Sequence, residues 1–441
     1  MTTPTLDDAA RLDAEDALSR FRHEFVVPAH PLSASEPGPG SNGSNGGQST
    51  GRQIYFVGNS LGLMSHRARR RVETELDRWG RLWVAGHFTG DTAWMPYHEL
   101  LTDSMAAVVG CRPEEVVVMN SLTVNLHLLL ISFYTPTSTR HKILIEDHAF
   151  PSDHFAVESQ IRQRGFDPDT SLITVKPRPG AHILHPDDIT DAIERHGDEL
   201  ALVMLPGVQY YTGQVLPMAD ITRAGHAVGA RVGFDLAHAA GNVPLELHDW
   251  GVDFAAWCTY KYLNSGPGGP SGCFVHNRHV ADAGLPKFTG WWGTNKKTRF
   301  HMENVFDAIP TAESWQLSNP SVLSMAALYG AMELFDEAGG IGRLRFKSEQ
   351  QIRFLDRLLD EVIGDRIENL TPRELEGRGC QSSLRVTNPD QDGQAAFDRL
   401  EASGVACDWR YPDVIRVAPV PLYNSFTDIY RFVEILDGIL E

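Results

Sequence analysis

Two short motifs carry the residue types from which catalysis on an amine can be built. Asp235-Leu-Ala-His238 ends one apolar run, and Thr259-Tyr260-Lys261-Tyr262 follows the next, with Lys261 standing 26 positions after Asp235. In a parallel sheet the carboxyl ends of neighbouring strands open onto one crevice, so both groups reach one ligand. A lysine amine forms Schiff bases with carbonyl compounds, and a nearby carboxylate keeps a pyridine nitrogen protonated so that the ring accepts electrons. The pair therefore suits pyridoxal phosphate. Asn120-Ser121-Leu122-Thr123, between a strand pattern and an apolar helix pattern, offers backbone N–H groups and a hydroxyl to a phosphate at a helix N-terminus. Phe150-Pro-Ser-Asp153, after the following run, offers a ring to stack on a flat cofactor. Taken singly, these are also the residues of an exposed lysine, a turn-capping aspartate, a helix cap and a core phenylalanine.

Other motifs fit less well. Gly58-Asn59-Ser60-Leu61-Gly62 matches the G-x-S-x-G elbow of serine hydrolases, but only 52 residues precede Gln53, too few for the strands such an elbow follows. The glycines read instead as a tight strand-to-helix turn. The run from Gly266 to Gly272 has Ser271 where G-x-G-x-x-G needs its third glycine, and His98-Glu99 has no second histidine at zincin spacing. Cys111, Cys258, Cys273, Cys380 and Cys407 are odd in number, widely spaced and without a C-x-x-C pair, so neither a disulfide framework nor a metal site is expected.

The elements that must position these residues are legible as short apolar runs at 53–57, 116–119, 142–145, 172–175, 201–205, 231–234, 254–257 and 272–275, mostly separated by helix-length segments. Runs apolar throughout are what a parallel sheet covered on both faces requires. Between 65 and 83, Ala68, Val72, Leu76, Trp79 and Trp83 recur at helical spacing behind a Ser65 cap, leaving Arg67, Arg69, Arg70 and Arg71 largely on the solvated side. Beyond about residue 320 the pattern changes to long helices at 322–337 and 341–363, strands near 382–386, 405–408 and 414–417, and a closing helix to Leu440. The expected organisation is an N-terminal segment 1–62 with a Gly/Ser/Asn-rich flexible loop at 32–52, a large α/β domain 63–318 and a smaller α+β domain 319–441.

With 441 residues and a formal net charge of −18, the chain has room for large cores and repels phosphate backbones, so neither nucleic acid nor an anionic membrane is the expected partner. The acidic N-terminus lacks the basic and apolar regions of a signal peptide, and a cytosolic setting follows.

Together, Gly58–Gly62, Leu122-Thr123-Val124-Asn125-Leu126, Phe150–Asp153, Tyr211-Thr212-Gly213-Gln214, Gly233–His238, Tyr260-Lys261-Tyr262-Leu263-Asn264, Gly290-Trp291-Trp292-Gly293 and Arg416–Asn424 resemble the kynureninases, in order from about residue 53 to the end. The resemblance implies the aminotransferase-like fold type I, a large domain with a mostly parallel seven-stranded sheet, and a cytoplasmic homodimer with sites at the subunit interface. It implies hydrolysis of L-kynurenine or 3-hydroxy-L-kynurenine to anthranilate or 3-hydroxyanthranilate plus L-alanine, in tryptophan catabolism or on the way to NAD. By position, Lys261 matches the Schiff-base lysine, Asp235 the partner of the pyridinium nitrogen, Phe150 the stacking ring and Tyr260 a proton-transfer residue. Leu122, Thr123, Pro151, Ser152, Asp153 and His238 match the cofactor shell, with Trp291 and Asn319 reaching it across the dimer. Arg416 matches the clamp for the substrate carboxylate. Ser60, His87, Ser318 and Asn319 match the substrate side, and polar residues at His87 and Asn319 resemble members that favour the 3-hydroxy substrate. Pro206 departs from relatives with Ser or Thr there, and supplies neither hydroxyl nor N–H. The alternatives are a cysteine desulfurase using Cys380, a serine hydrolase using Ser60, and a non-enzymatic cofactor-binding regulator.

Overall fold

The computed structural model describes residues 3–29, 51–282 and 284–441. Strand β1 (Ile54–Tyr55) stands apart from the main sheet. That sheet is built from β2 (Val116–Met119), β3 (Lys142–Glu146), β4 (Leu172–Val175), β5 (Leu200–Pro206), β6 (Arg231–Asp235), β7 (Phe254–Cys258) and β8 (Ser271–Val275), in the order β2-β8-β7-β6-β5-β3-β4. Pairing is parallel from β4 across to β7, and β8 runs antiparallel to both β7 and β2. The seven-stranded sheet is thus mostly parallel. Its strands are apolar throughout because both faces are covered: Val116, Val118 and Leu144 pack into one core, and Val117, Met119, Ile143 and Ile145 into the other. Each such side chain contributes about 1.5–3 kcal/mol on burial, which makes the sheet a stiff base for whatever its strand ends carry.

A second unit holds β9 (Ile367–Asn369), β10 (Ser382–Val386), β11 (Val405–Ala406), β12 (Asp408–Arg410) and β13 (Val414–Val417), with an antiparallel sheet ordered β12-β13-β10-β9 and a third core of its own. The run at 53–57 belongs here and not to the main sheet. β1 pairs in parallel with β11, and Phe56 exchanges backbone hydrogen bonds with Ala406 and Ala418. The helix Leu6–Glu15 also serves this unit, since the Asp13 carboxylate accepts from the Phe426 and Thr427 N–H groups at 2.6 and 3.1 Å and so caps the closing helix Phe426–Leu440. Of the Gly/Ser/Asn-rich loop, all but its last two residues lies outside the described residues; Arg52 is bridged to Ala29.

Ser65 caps the helix His66–Leu82 by accepting from the Ala68 N–H. Its apolar stripe splits. Ala68 is buried against the helix Val322–Glu337, whose Gly330 comes so close that a Cβ would lie 2.7 Å from the Ala68 nitrogen. Leu76, Trp79 and Trp83 stay exposed. Arg67 and Arg71 flank this seam, half-buried and paired with Glu337 and Glu333, while Arg69 and Arg70 are exposed, so the four lie largely but not wholly on the solvated side. The buried residues of Val322–Glu337 join the main core, whereas the C-terminal core begins at Phe354. Among the described residues no helix is long and apolar enough to cross a membrane.

Candidate active site

The carboxyl ends of β2, β3, β5, β6 and β7 converge on a cleft of about 340 Å³. This is enough for a small cofactor. Asp235 is the last residue of β6, and the neighbouring β7 leads into the turn bearing Tyr260 and Lys261, so the parallel register brings together the two motifs read from the sequence. The Lys261 ammonium donates to His238 Nε2 at 2.9 Å. Burial, then Lys261, Arg416 and Arg410, hold His238 well below the usual imidazole range, so it is neutral and its lone pair accepts. Its Nδ1 is buried with no partner among the described residues.

Asp235 is almost fully buried and accepts from the Ala237 N–H at 2.6 Å. Burial raises its carboxyl, while the Ala237 N–H, Lys261 and Asp153 oppose that rise. Asp153 lies beside Asp235, and its carboxyl is pushed well up by burial and by the Asp235 charge. The wall opposite is the start of the helix Leu122–Phe133, which has no side-chain cap. Its free N–H groups and Thr123, whose hydroxyl meets that of Ser152 at 2.7 Å, face the cleft as an anion seat. Phe150 stands half exposed just before the helix Pro151–Gln163, its ring edge-on to Tyr210 at 5.3 Å. An amine, a buried carboxylate, an uncapped helix N-terminus, an unpartnered imidazole nitrogen and an exposed ring are what pyridoxal phosphate needs, and they fit it.

Ser60 also lines the cleft, but among the described residues its hydroxyl has no hydrogen bond to a histidine or carboxylate, so no triad forms. The glycines around it act by close approach: the Gly62 N–H donates to the Tyr260 carbonyl at 2.8 Å, and a Cβ on Gly62 would lie 2.3 Å from the Lys261 carbonyl oxygen. Tyr260 lines the cleft, and burial followed by Cys258 raises its phenol. Cys380 is buried and its thiol is pushed up to about 12, which removes it as a reactive sulfur. Pro206 lines the cleft at the end of β5.

Six expected residues do not line the cleft in the single chain: Pro151, which heads its helix, and Ser318, Asn319, His87, Trp291 and Arg416. Ser318 and Asn319 are exposed and line a neighbouring cavity of about 260 Å³ that shares Ser121 with the cleft. His87 and Trp291 belong to one patch of touching rings, His87 to Phe88, Phe88 to Phe300 and Phe300 to Trp291. Arg416 is wholly buried, and its Nε and Nη2 grip the two oxygens of Asp408 at 2.8 Å each.

Three titratable lining residues escaped the sequence reading, Glu146, Tyr210 and Arg410, as did the apolar Val208. Glu146 ends β3 much as Asp235 ends β6, and a carboxylate closing an apolar run was the signal available for it. Burial drives its carboxyl up to about 8, with a smaller push from Asp235 and an opposing hydrogen bond from Gln209.

Comparison with known proteins agrees with this geometry. Residues 95–377 match the aminotransferase class-V family, and the fold is that of the cystine C–S lyase C-DES (TM-score 0.72, 19% identity, covering 87% of this chain and 97% of that one) and of the cysteine desulfurase CsdA from Escherichia coli (TM-score 0.72, 13% identity, 96% and 98%). The molecule is therefore a pyridoxal phosphate enzyme of that class. Residues 344–436 match the kynureninase C-terminal domain. Curated kynureninases are similar throughout: that of Xanthomonas campestris pv. campestris is 53% identical over 98% of both chains, that of Koribacter versatilis 52% over 97% of this chain and 96% of its own, and that of Myxococcus xanthus 50% over 99% of both. The chain belongs to the kynureninase family.

Proposed function

We propose that this cleft hydrolyses the Cβ–Cγ bond of kynurenines, 3-hydroxy-L-kynurenine in preference to L-kynurenine, releasing L-alanine and the aminobenzoate. The observation that carries the site assignment is the meeting of Lys261, His238 and the buried Asp235–Asp153 pair at the strand ends. When bound, pyridoxal phosphate supplies an electron sink for charge developing on the substrate carbons. Lys261 takes the Cα proton, and His238, held neutral, accepts a hydrogen bond from the amine. Asp235 would hold the proton on the ring nitrogen, with Asp153 beside it. The helix start at Leu122 and Thr123 would hold the phosphate, and Phe150 would pack on the ring. Water adds at the side-chain carbonyl, and Tyr260 serves the proton transfer as the Cβ–Cγ bond breaks. Arg416 would bind the α-carboxylate and so orient the bonds at the substrate Cα. Pro206 gives no side-chain hydrogen bond here.

The working form is a cytoplasmic homodimer whose partner brings Trp291, Asn319, Ser318 and His87 to the site, in tryptophan catabolism and the supply of NAD precursors. Support comes from the exposed Leu76, Trp79 and Trp83 along one helix and its C-cap and from the exposed, touching rings of Phe88, Phe300 and Trp291, apolar groups that a second subunit would cover. Preference for the 3-hydroxy substrate rests on polar groups that lose a partner when the ring hydroxyl is missing, at about 1–3 kcal/mol for a buried group. Turnover of both kynurenines by the purified holoenzyme, with products identified by chromatography and mass by sedimentation, tests the reading. A higher kcat/KM for 3-hydroxykynurenine and a dimer are expected; equal or reversed preference, or an active monomer, contradicts it.

A further inference from the structure

Asp408 and Arg410 stand two residues apart on β12, so their side chains emerge on one face, while Trp409 between them turns to the other and packs near Phe397. Across the antiparallel ladder Asp408 is paired with Arg416, which puts all three charged groups together. The Asp408 carboxylate then serves two guanidiniums: Arg416 through Nε and Nη2 at 2.8 Å, and Arg410 through Nη2 at 3.1 Å. Arg416 donates a third hydrogen bond from Nη1 to the Tyr210 carbonyl at 2.5 Å. Of the five N–H groups of a guanidinium, one on Nη1 and one on Nη2 of Arg416 thus remain uncommitted. Arg410 is the member of the set that lines the cleft beside Lys261 and His238, and its Nε is buried without a partner among the described residues. Two guanidiniums against one carboxylate leave a surplus of one positive charge, matched by the single α-carboxylate of an amino-acid substrate.

We propose that Arg410 is a second carboxylate-binding residue of this site, and that Asp408 is a positioning residue that holds Arg410 and Arg416 as one unit. The proposal rests on the cleft being the substrate site described above. Asp408 neutralises half of the pair, so the two cations lie close without driving each other apart, and it engages the side-on edge of Arg416 through Nε and Nη2. Arg410 closes the same carboxylate from the cleft wall.

The test uses the holoenzyme and two probes differing by one group, L-alanine and ethylamine, with affinities read from the absorbance of the bound cofactor, alongside KM and kcat for L-kynurenine. Arg410→Gln should weaken L-alanine roughly ten- to hundredfold and leave ethylamine within about threefold, with KM rising more than kcat falls. Arg410→Lys should recover part of the loss, since it keeps the charge but not the fork. Asp408→Asn should weaken L-alanine selectively by misplacing both arginines. Unchanged L-alanine affinity in Arg410→Gln overturns the proposal, as does equal weakening of ethylamine, which marks general damage. If the wild type neither cleaves kynurenine nor binds L-alanine, the substrate reading itself falls and takes the proposal with it. Wild-type cleavage with an indifferent Arg410→Gln rejects the role of Arg410 alone.

Discussion

The Lys261 ammonium donates to the Nε2 of His238 at 2.9 Å, at the meeting point of two loops that follow neighbouring parallel strands. Because burial and three nearby cations keep the imidazole neutral, this contact requires no carboxylate and leaves Asp235 to act on the cofactor ring. His238→Leu removes the acceptor, whereas His238→Gln retains one. Steady-state kcat should fall about tenfold or more in the first and clearly less in the second, a hydrogen bond to a charged group being worth about 1.5–3 kcal/mol. Equal losses would show that the ring's shape, not its lone pair, matters.

Asp235→Asn should impair turnover far more than cofactor occupancy, because a neutral amide does not hold a proton on the pyridine nitrogen while the phosphate seat at Leu122 and Thr123 is untouched. Cofactor content measured by absorbance, against kcat at saturating cofactor, separates the two. Normal turnover at full occupancy would remove the electron-sink role from Asp235.

Glu146 gives a pH-dependent signature. Its carboxyl, raised to about 8 by burial, holds a proton in the folded chain at pH values where the unfolded chain has lost it. A raised carboxyl contributes stability below the unfolded value, near 4.5, that drains away as pH rises through the folded one. Between pH 5 and 8 the cofactor-free wild type should therefore lose stability relative to Glu146→Gln, by up to about 1.4 kcal/mol per pH unit. Denaturant melts of both proteins at several pH values measure it, and a constant difference between them would place Glu146 in its ionised form.

How much of this was legible beforehand divides along a physical line. Asp235, Lys261, Thr123 and Phe150 sit at the ends of runs whose both-faces-apolar pattern announces a parallel sheet, and strand ends in such a sheet share one crevice. The exceptions are contacts that depend on distant chain. Ile54–Tyr55 has an apolar pattern like the others, yet its hydrogen bonds are taken by Val405–Ala406, a pairing across some 350 residues that no local signal encodes. Leu76, Trp79 and Trp83 have helical periodicity without a covering surface among the described residues. Arg410 was hidden because a single D-W-R triplet reveals its shared face only once Arg416 is known to lie across the ladder.

His87 sits with its ring edge-on to Trp94 at 5.4 Å, on the exposed aromatic patch that also holds Trp291. If it reads the substrate's ring hydroxyl from the partner subunit, His87→Phe should lower kcat/KM for 3-hydroxykynurenine by roughly five- to hundredfold while changing that for kynurenine much less. A ratio untouched by the substitution would assign ring recognition elsewhere.

The most direct test of the central claim, that this cleft is organised around a cofactor carried by Lys261, is borohydride reduction of the holoenzyme followed by proteolysis and peptide mapping. The pyridoxyl group should be found on Lys261, in the peptide containing Tyr260 and Tyr262. The label on Lys142, Lys176, Lys287, Lys296, Lys297 or Lys347 instead would contradict the account.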